Sequence, residues 1–390
     1  MKFLYVSVEP DQSDLFFNTI LGQILGVRQL GNIAEGACIH GNELLYCTKD
    51  GITRFPLPIS DANREETACR LICDGIEKNQ YDFVYLRGFL INKTLLRVAA
   101  CAKSKKFGAK VIFEEMRFPL KDACEELLQT YKNSGDFKEH QKLRSKMIHH
   151  SLLKSKFSGV ADTIVVFGVP TEHVWGIPSI TVDSGIDVST IKCRTKVEAH
   201  GDSISILGVV ENPKICGYDR VIRGLKAYQT NVRRDKIVFD IVGDDADVQE
   251  FKVMVQENQL TDCVRFLGKK SVDEMNELYD SHTVAVSCLG LYRIDRNYFT
   301  SHSTKQYCAA GIPFIYAYED ISLDNNTPFA LKLANNDSPI NIALIGEFVW
   351  RCRLNQRLTL TERKFAEKHY DWRVIMKRIL DFTATGRREV

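Results

Sequence analysis

The sequence has no long hydrophobic run and no excess of charge of one sign. No segment holds the roughly 18 consecutive apolar residues that a membrane-spanning helix requires. Its 52 Lys and Arg are balanced by 50 Asp and Glu, which leaves a net charge of +2 and no indication of a nucleic-acid partner. The opening MKFLYVSVEP is too short and wrongly flanked for a signal peptide and predicts a first strand. We therefore expect a soluble cytoplasmic protein.

The cysteines follow none of the usual functional spacings. The chain has 12 of them but no CxxC pair and no Cys/His spacing typical of a metal site. Cys69 and Cys73 are four residues apart, which makes them neighbours on a helix. Without a secretion signal, the pattern predicts reduced thiols that pack as small apolar residues, and no disulfides.

Two common phosphate-binding motifs are also missing. No GxGxxG follows the first predicted strand, and no GxxxxGK[ST] occurs anywhere. A dinucleotide-binding first domain and a P-loop are therefore not predicted. Any phosphate-bearing ligand must be held by a less regular combination of helix starts and cations.

The pattern that is present alternates short strands with amphipathic helices. Runs such as DFVYLRG, KVIFEE and TIVVFG, and later SISILGVV and KIVFDIVG, are rich in β-branched and aromatic residues. Helical patterns such as DRVIRGLKAYQTN separate them. This alternation predicts an α/β protein with parallel sheets covered on both faces.

The alternation breaks in DVSTIKCRTKVEAHGD, and a chain of 390 residues is long enough for two domains. We predict a Rossmann-like domain at 1–187, a linker at 188–202, a second Rossmann-like domain at 203–370, and a closing helix at 371–390 that returns toward the first domain. Two doubly wound domains of this kind are expected to face each other across a cleft, where ligands of open α/β sheets bind.

The second domain offers glycines and cations after its strands. Gly243 follows a predicted strand and is predicted to let a bound ligand approach closely, and the acids after it can cap the next helix. Lys214 precedes the helix start GYDR, where Asp219 and Arg220 are predicted to be a capping pair. Free N–H groups at such a start can hold an anion.

The segments GYDRVIRGL, FDIVGDD, VRFLGKKSVDEMNELYD and AAGIPFIYAYED together resemble landmarks of retaining glycosyltransferases of glycosyltransferase family 4, which have the GT-B fold. VWGIPSITVDSGIDVSTI, VIFEEMRFPLKD and HYDWRVIMKRIL extend the resemblance over nearly the whole chain. It implies a nucleotide-sugar donor in the second domain, an acceptor in the first, and no cofactor or obligatory metal. The family members most similar to this chain assemble bacterial surface polysaccharides.

The segment NYFTSHSTKQYCAAGIPFIYAYED departs from the family pattern. The family's E-x7-E glutamates bracket the sugar and the ribose, and the match places Tyr298 and Gln306 at these two positions. An amide can still hydrogen-bond a ribose hydroxyl. Tyr298 could contact the sugar by its ring and hydroxyl, but not as a carboxylate.

The resemblance assigns the remaining donor contacts to residues near this segment. Arg293 and Lys305 would act as catalytic cations on the diphosphate, together with the N–H groups of Ser303 and Thr304. Lys214 would replace the family's cation before Gly217, and Gly290 would allow close approach of the donor. The competing interpretations are a solvated loop cation for Arg293, a surface helix residue for Lys305, and a simple strand exit for Gly290.

In the first domain, Glu114, Glu115 and Arg117 follow a strand at the expected cleft edge. We predict Glu114 as a catalytic group and the other two as acceptor contacts, with an internal Glu–Arg ion pair as the alternative. Further along, residues 101–160 carry 13 Lys and Arg against 7 Asp and Glu. This basic stretch, whose His149 and His150 are predicted to be exposed, suggests peripheral contact with the inner face of a membrane.

The leading hypothesis is a hexosyltransferase-like enzyme that moves a sugar from a nucleotide sugar to a saccharide or lipid-linked acceptor, with retention, in polysaccharide or glycoconjugate biosynthesis. The loss of both motif glutamates favours an alternative, a noncatalytic GT-B protein that binds a partner glycosyltransferase or a glycan. An epimerase with two such domains, which would release its sugar into water, is a third possibility.

Overall fold

The computed structural model describes residues 1–8, 14–104, 106, 108–194, 203–229 and 236–387. These residues form two compact units. Unit 1 comprises Met1–Gly185 and Trp372–Val390, and unit 2 comprises Ile186–Asp371. The second unit is thus inserted between two segments of the first along the chain.

Unit 1 is built on a nine-stranded sheet in the order β4-β3-β2-β1-β5-β6-β7-β9-β8. Its strands are β1 (Lys2–Ser7), β2 (Ile33–His40), β3 (Glu43–Thr48), β4 (Gly51–Pro56), β5 (Phe83–Gly88), β6 (Lys110–Glu115), β7 (Thr163–Phe167), β8 (His173–Val174) and β9 (Ile177–Val182). Its helices are α1 (Asp14–Gln29), α2 (Asp61–Asn79), α3 (Lys93–Ala102), α4 (Leu120–Ser134), α5 (Phe137–Ser158) and α13 (Trp372–Thr385).

The central strands of unit 1 are buried on both faces, as their continuous apolar runs predict. In β1, Phe3 and Tyr5 point into a core cluster with α1 and α13, whereas Leu4 and Val6 point into a second cluster with α2 and α3. The parallel pairing of β1, β2, β5, β6, β7 and β9 confirms the predicted sheet type. Strands β2, β3 and β4 pair antiparallel, and this pairing was not predicted.

Three glycines make room for one tryptophan at the start of α13. A Cβ on Gly22, Gly26 or Gly185 would lie 2.3–2.7 Å from atoms of Trp372. Trp372 is itself only 4% exposed. Helix α13 therefore completes the core of unit 1, against α1 and the end of the first segment.

Unit 2 contains a six-stranded parallel sheet in the order β12-β11-β10-β13-β14-β15. Its strands are β10 (Ser203–Val209), β11 (Lys236–Val242), β12 (Val264–Gly268), β13 (Val284–Val286), β14 (Phe314–Tyr316) and β15 (Ala330–Lys332). Its helices are α6 (Pro213–Cys216), α7 (Tyr218–Tyr228), α8 (Asp245–Glu257), α9 (Val272–Ser281), α10 (His302–Ala310), α11 (Ile342–Leu354) and α12 (Leu358–His369), with short 3₁₀ helices at Val188–Thr190 and Leu291–Ile294.

Part of the predicted linker belongs to unit 2. Val188 and Ile191 are buried in its core, and Arg194 donates to backbone carbonyls of Gly311 and His282. Residues 195–202 of that linker lie outside the described residues. Val188 and Ile191, three residues apart, are the apolar side chains through which this otherwise polar stretch packs against unit 2. Among the helices that the structure describes, none is both long and apolar enough to cross a membrane.

Candidate functional site

The site in unit 2 begins where the strand order reverses. Strand β10 lies between β11 and β13, so the chain leaves it in opposite directions at its carboxyl end. Ligands of open α/β sheets bind outside such a switch point. Glu211 follows β10 there, and Ser287 and Cys288 follow β13.

Helix α10 starts beside this point and is held by a network of hydroxyl groups. The Ser301 hydroxyl accepts the N–H of Thr304 and lies 3.0 Å from the Ser287 hydroxyl. The Thr304 hydroxyl donates to Ser287 at 2.8 Å and lies 2.6 Å from the Tyr318 hydroxyl. Ser303 and Thr304 are almost completely buried. The start of α10 is therefore fixed before any ligand binds.

The Glu211 carboxylate lies at the first turn of α10, where it accepts a hydrogen bond from the Ser303 N–H group. Burial lowers the pKa of the neighbouring His302, and Lys305 adds to that effect while Glu211 opposes it. Sequence reasoning missed Glu211, although its place directly after the first strand of the second domain could have indicated it. An anion bound at this helix start would have to compete with Glu211.

Lys305 is buried inside unit 2, so the interpretation as a surface residue is wrong. Its exposed fraction is 0%, and its Nζ donates to the Ser301 carbonyl at 3.0 Å. The same ammonium lies 4.8 Å from the centre of the Tyr370 ring, a cation–π contact. The cation thus stabilises the turn that leads into α10.

Arg293 is paired with an acid. Its Nη2 donates to the Asp219 carboxylate at 2.6 Å, and its Nη1 donates to the Lys214 carbonyl at 3.3 Å. Burial alone would lower the pKa of Arg293, but Asp219 outweighs it and raises that pKa. Arg293 and the exposed Lys214 line one cavity of about 530 Å³, whose wall also carries Asp247 and Glu250.

The predicted capping pair at the start of α7 has other partners. Asp219 binds Arg293 and Arg223, which donates to it at 3.0 Å. Arg220 is buried and donates to the carbonyls of Leu289 and Ser338. Both residues therefore connect α7 to loops that are distant in sequence, and neither caps the helix. The strands that precede these loops bring them next to α7.

A second cavity, of about 330 Å³, lies at the carboxyl end of β11. Gly243 and Gln306 line it together with Tyr279, whose hydroxyl donates to the Gln306 carbonyl at 3.3 Å. Apolar residues form part of the wall, as do Lys269 and Lys270. A Cβ on Gly243 would lie 3.1 Å from Val210 and Val248 side-chain atoms, so a side chain would crowd this corner.

The other two predicted donor contacts, Gly290 and Tyr298, each have close neighbours in the structure. A Cβ on Gly290 would lie 2.9 Å from the Ile215 carbonyl oxygen, so tight backbone packing alone accounts for this glycine. Tyr298 pairs with Glu319 in an isolated bridge, and 42% of it is exposed.

The residues predicted on the acceptor side lie in unit 1. Glu114 is fully buried and bound by Arg87 Nη1 at 2.8 Å, Gln23 Nε2 at 2.8 Å and the Tyr85 hydroxyl at 2.7 Å. The internal ion pair is therefore confirmed, but its cation is Arg87 and not a neighbour in sequence. In this structure, a carboxylate with no exposed surface cannot touch an acceptor, which contradicts the predicted catalytic role of Glu114.

Glu115 and Arg117 follow at the end of β6. Glu115 is buried and accepts the N–H of Arg117 at 3.4 Å. Arg117 is exposed, and its guanidinium lies 5.7 Å from the centre of the Phe89 ring. Of the three residues predicted in this unit, only Arg117 reaches solvent.

Solved structures similar to this one include a glycosyltransferase. That structure, from Rickettsia africae ESF-5, matches with 11% identity and a TM-score of 0.63, covering 98% of both chains. Anabaena Alr3699/HepE, solved in complex with UDP, matches with 10% identity and a TM-score of 0.60 over 99% of this chain and 100% of the other. Sucrose-phosphate synthase from Thermosynechococcus elongatus matches with 11% identity and a TM-score of 0.60, covering 98% of both chains.

The chain has the GT-B fold. The predicted fold class is therefore confirmed by similarity over nearly the full length of each chain. No protein-family model matches the sequence, and no curated protein does. At 10–11% sequence identity, the similarity establishes the fold, and the function has to be inferred from the site.

Within this GT-B fold, four of the predicted donor residues line two neighbouring cavities. Gly243 and Gln306 share the cavity at β11, and Lys214 and Arg293 share the other. Asp247 lines both cavities, which are therefore neighbours. Within the described part of the chain, no three His, Cys, Asp or Glu side chains are grouped to hold a metal ion.

Proposed function

We propose that this protein is a glycosyltransferase that moves a sugar from a nucleotide-sugar donor to a saccharide or lipid-linked acceptor, with retention. The observation that carries the proposal is the cavity lined by Gly243, Tyr279 and Gln306 at the carboxyl end of β11. The shared fold supports it, since Alr3699/HepE was solved with UDP and with UDP-glucose.

The donor nucleoside would occupy the cavity at β11. The Gln306 amide and the Tyr279 hydroxyl offer both donors and acceptors to a ribose, and the apolar wall would cover one face of a base. Lys269 is paired with Asp244, and Lys270 with Glu274 at 3.0 Å. These lysines would close the cavity at its rim without placing a net charge on the base.

The diphosphate would extend toward Lys214 and Arg293. When the bond between the anomeric carbon and the diphosphate oxygen breaks, its electron pair stays on the diphosphate, and fixed cations stabilise that charge. The acceptor hydroxyl oxygen bonds to the same carbon and releases its proton to the departing diphosphate. Lys214 would meet the charge directly because its side chain is exposed, whereas Arg293 shares its charge with Asp219.

A panel of UDP-, GDP- and other nucleotide sugars tests the proposal, with thermal shift and nucleotide release as readouts. At least one donor should raise the unfolding temperature and release nucleotide slowly. Gln306→Ala should weaken binding of that donor about tenfold, since a buried hydrogen bond to a ligand contributes ~1.4 kcal/mol. Gln256→Ala, the same substitution at an exposed position of α8, should leave binding unchanged.

The noncatalytic alternative also has an observation in its favour. Glu211 occupies the start of α10, and Asp219 pairs with Arg293, so two groups that could meet a diphosphate are already engaged. If no nucleotide sugar changes the unfolding temperature and none is hydrolysed, the enzyme proposal fails. Copurification with a second glycosyltransferase would then favour a binding role.

A further inference from the structure

Helix α5 of unit 1 is held firmly along one side. Leu143, His150 and Phe157, spaced seven residues apart, are all buried. The His150 Nδ1 accepts the Ile91 N–H at 3.1 Å, and the imidazole meets the Trp175 ring at 5.0 Å. Burial lowers the pKa of His150 to about 4, so the ring is neutral at physiological pH. The prediction that His150 is exposed is wrong, and this residue anchors the helix.

The opposite side of α5 exposes large apolar side chains. Phe137 is 70% exposed, Ile148 62% and Leu152 67%. At about 100° per residue these three side chains lie within about 60° of one another around the helix axis. They therefore form a single outward stripe along a helix whose 22 residues span about 33 Å. Burial of such side chains from water is favourable, so the stripe is suited to contact an apolar phase.

The charges on α5 are nearly all positive. It carries Lys138, Lys142, Arg144, Lys146, Lys154 and Lys156, and its one acid is Glu139. Glu139 is half-buried and binds Lys142 at 3.1 Å. Across the residues that the structure describes, no salt bridge involves any of the other five cations of this helix. The acids Asp122, Glu125 and Glu126 lie on the neighbouring α4, so the basic surface is that of α5 alone.

We propose that the outer face of α5 docks the protein on a membrane surface rich in anionic lipid. Phe137, Ile148 and Leu152 would enter the boundary between headgroups and acyl chains, while Lys138, Arg144 and Lys156, which lie beside this stripe on the helix, would meet lipid phosphates. A nucleic acid would use the cations but would not favour three exposed apolar side chains. A protein partner would need an acidic groove that also accepts this stripe. An anionic bilayer can bind both the positive charge and the apolar stripe.

Vesicle flotation of the full-length protein tests this docking. The protein should float with vesicles of phosphatidylcholine mixed with phosphatidylglycerol, and much less with phosphatidylcholine alone. Added salt should weaken the binding, because each Lys or Arg near an anionic surface contributes about fivefold to the partition coefficient. Equal binding to both kinds of vesicle, or binding to neither, would overturn the proposal. The assay requires no sugar donor, so its result is independent of the proposed enzymatic function.

Two variants and one control locate the contact. Ile148→Ser/Leu152→Ser should reduce partitioning by at least about tenfold, and Arg144→Gln/Lys156→Gln by about 25-fold. Trp350→Ser/Leu354→Ser removes an apolar pair on α11 that has the same spacing and similar exposure, 62% and 64%, and should leave flotation unchanged. All three changes are at exposed positions, and unchanged melting curves would show intact folding. The assignment would be refuted if only the α11 variant lost flotation. It would also be refuted if an α5 variant changed the oligomeric state but still floated normally.

Discussion

Replacement of Arg87 by Met tests whether the buried polar cluster of unit 1 is structural. Arg87 faces Glu114 at 2.8 Å, and both side chains are almost completely enclosed. Met keeps much of the length of the side chain but removes the charge. Glu114 would then keep its hydrogen bonds from Gln23 and Tyr85 but would be a buried carboxylate with no opposing charge.

The expected cost follows from this geometry. Removing one partner of a buried ion pair destabilises a protein by about 3–5 kcal/mol, because the remaining charge stays desolvated. The two remaining hydrogen bonds place Arg87→Met near the lower limit, at ~3 kcal/mol. Adding Glu114→Gln removes the stranded charge while an acceptor for Tyr85 remains. We expect the double variant to recover ~2 kcal/mol of the loss.

Urea unfolding followed by tryptophan fluorescence measures these changes. Of the three tryptophans, Trp175 and Trp372 lie in unit 1 and the exposed Trp350 lies in unit 2. A Trp350→Phe background therefore makes the signal specific for unit 1. A loss below ~1 kcal/mol, or a double variant no more stable than Arg87→Met, would refute the reasoning. If Glu114→Gln alone retained full stability but abolished glycosyl transfer, the catalytic role predicted from sequence would be restored.

Three further predictions concern unit 2. Glu211→Gln should tighten binding of a nucleoside diphosphate about tenfold in calorimetry, because it removes a like charge whose repulsion is worth ~1.4 kcal/mol. Unchanged affinity would contradict the idea that Glu211 competes with a bound anion at the start of α10. Burial holds the pKa of Glu362 well above its usual range, with Arg194 opposing, so the native state keeps a proton that the unfolded state loses. Stability should therefore fall as pH rises above about 4.3, by at most ~1.4 kcal/mol per pH unit, and Glu362→Gln should flatten this slope; equal slopes would argue against it. Gly217→Ala should cost ~2–4 kcal/mol in urea unfolding, since the new Cβ would lie 2.6 Å from the Gly290 nitrogen at a φ of +68°. Gly268→Ala, at a φ of +70° in open space, should cost only ~1 kcal/mol, and equal costs would exclude the steric term.

The fold could be predicted where local pattern and final environment agree. Runs such as TIVVF and KIVFDIV become central parallel strands with both faces buried, because few other structures bury every residue of a short β-branched run. The antiparallel strand β4 was less accessible to this reasoning. Residues of β4 are mostly exposed, so the strand depends largely on its pairing with β3, and that pairing is not visible in its own sequence.

Which side chains lie near one another in unit 2 was easier to predict than which of their charges are paired. Gln306 and Gly243 were both expected to contact the donor, and they line one cavity. The partners of Arg293 and Glu114 could not be inferred, because Asp219 and Arg87 are brought to them by elements 74 and 27 residues away. A single sequence indicates which cations are present but not which acids already neutralise them.

The tryptophan seated against three glycines has a consequence for synthesis on the ribosome. The first segment of unit 1 emerges early, but Gly22, Gly26 and Gly185 leave space that Trp372 occupies in the folded protein. That residue is translated after the whole of unit 2. We therefore expect unit 2 to fold first during translation, while the nascent unit 1 keeps an apolar groove open to chaperones. A nascent chain arrested just before Trp372 should be protease-resistant in unit 2 and sensitive in unit 1.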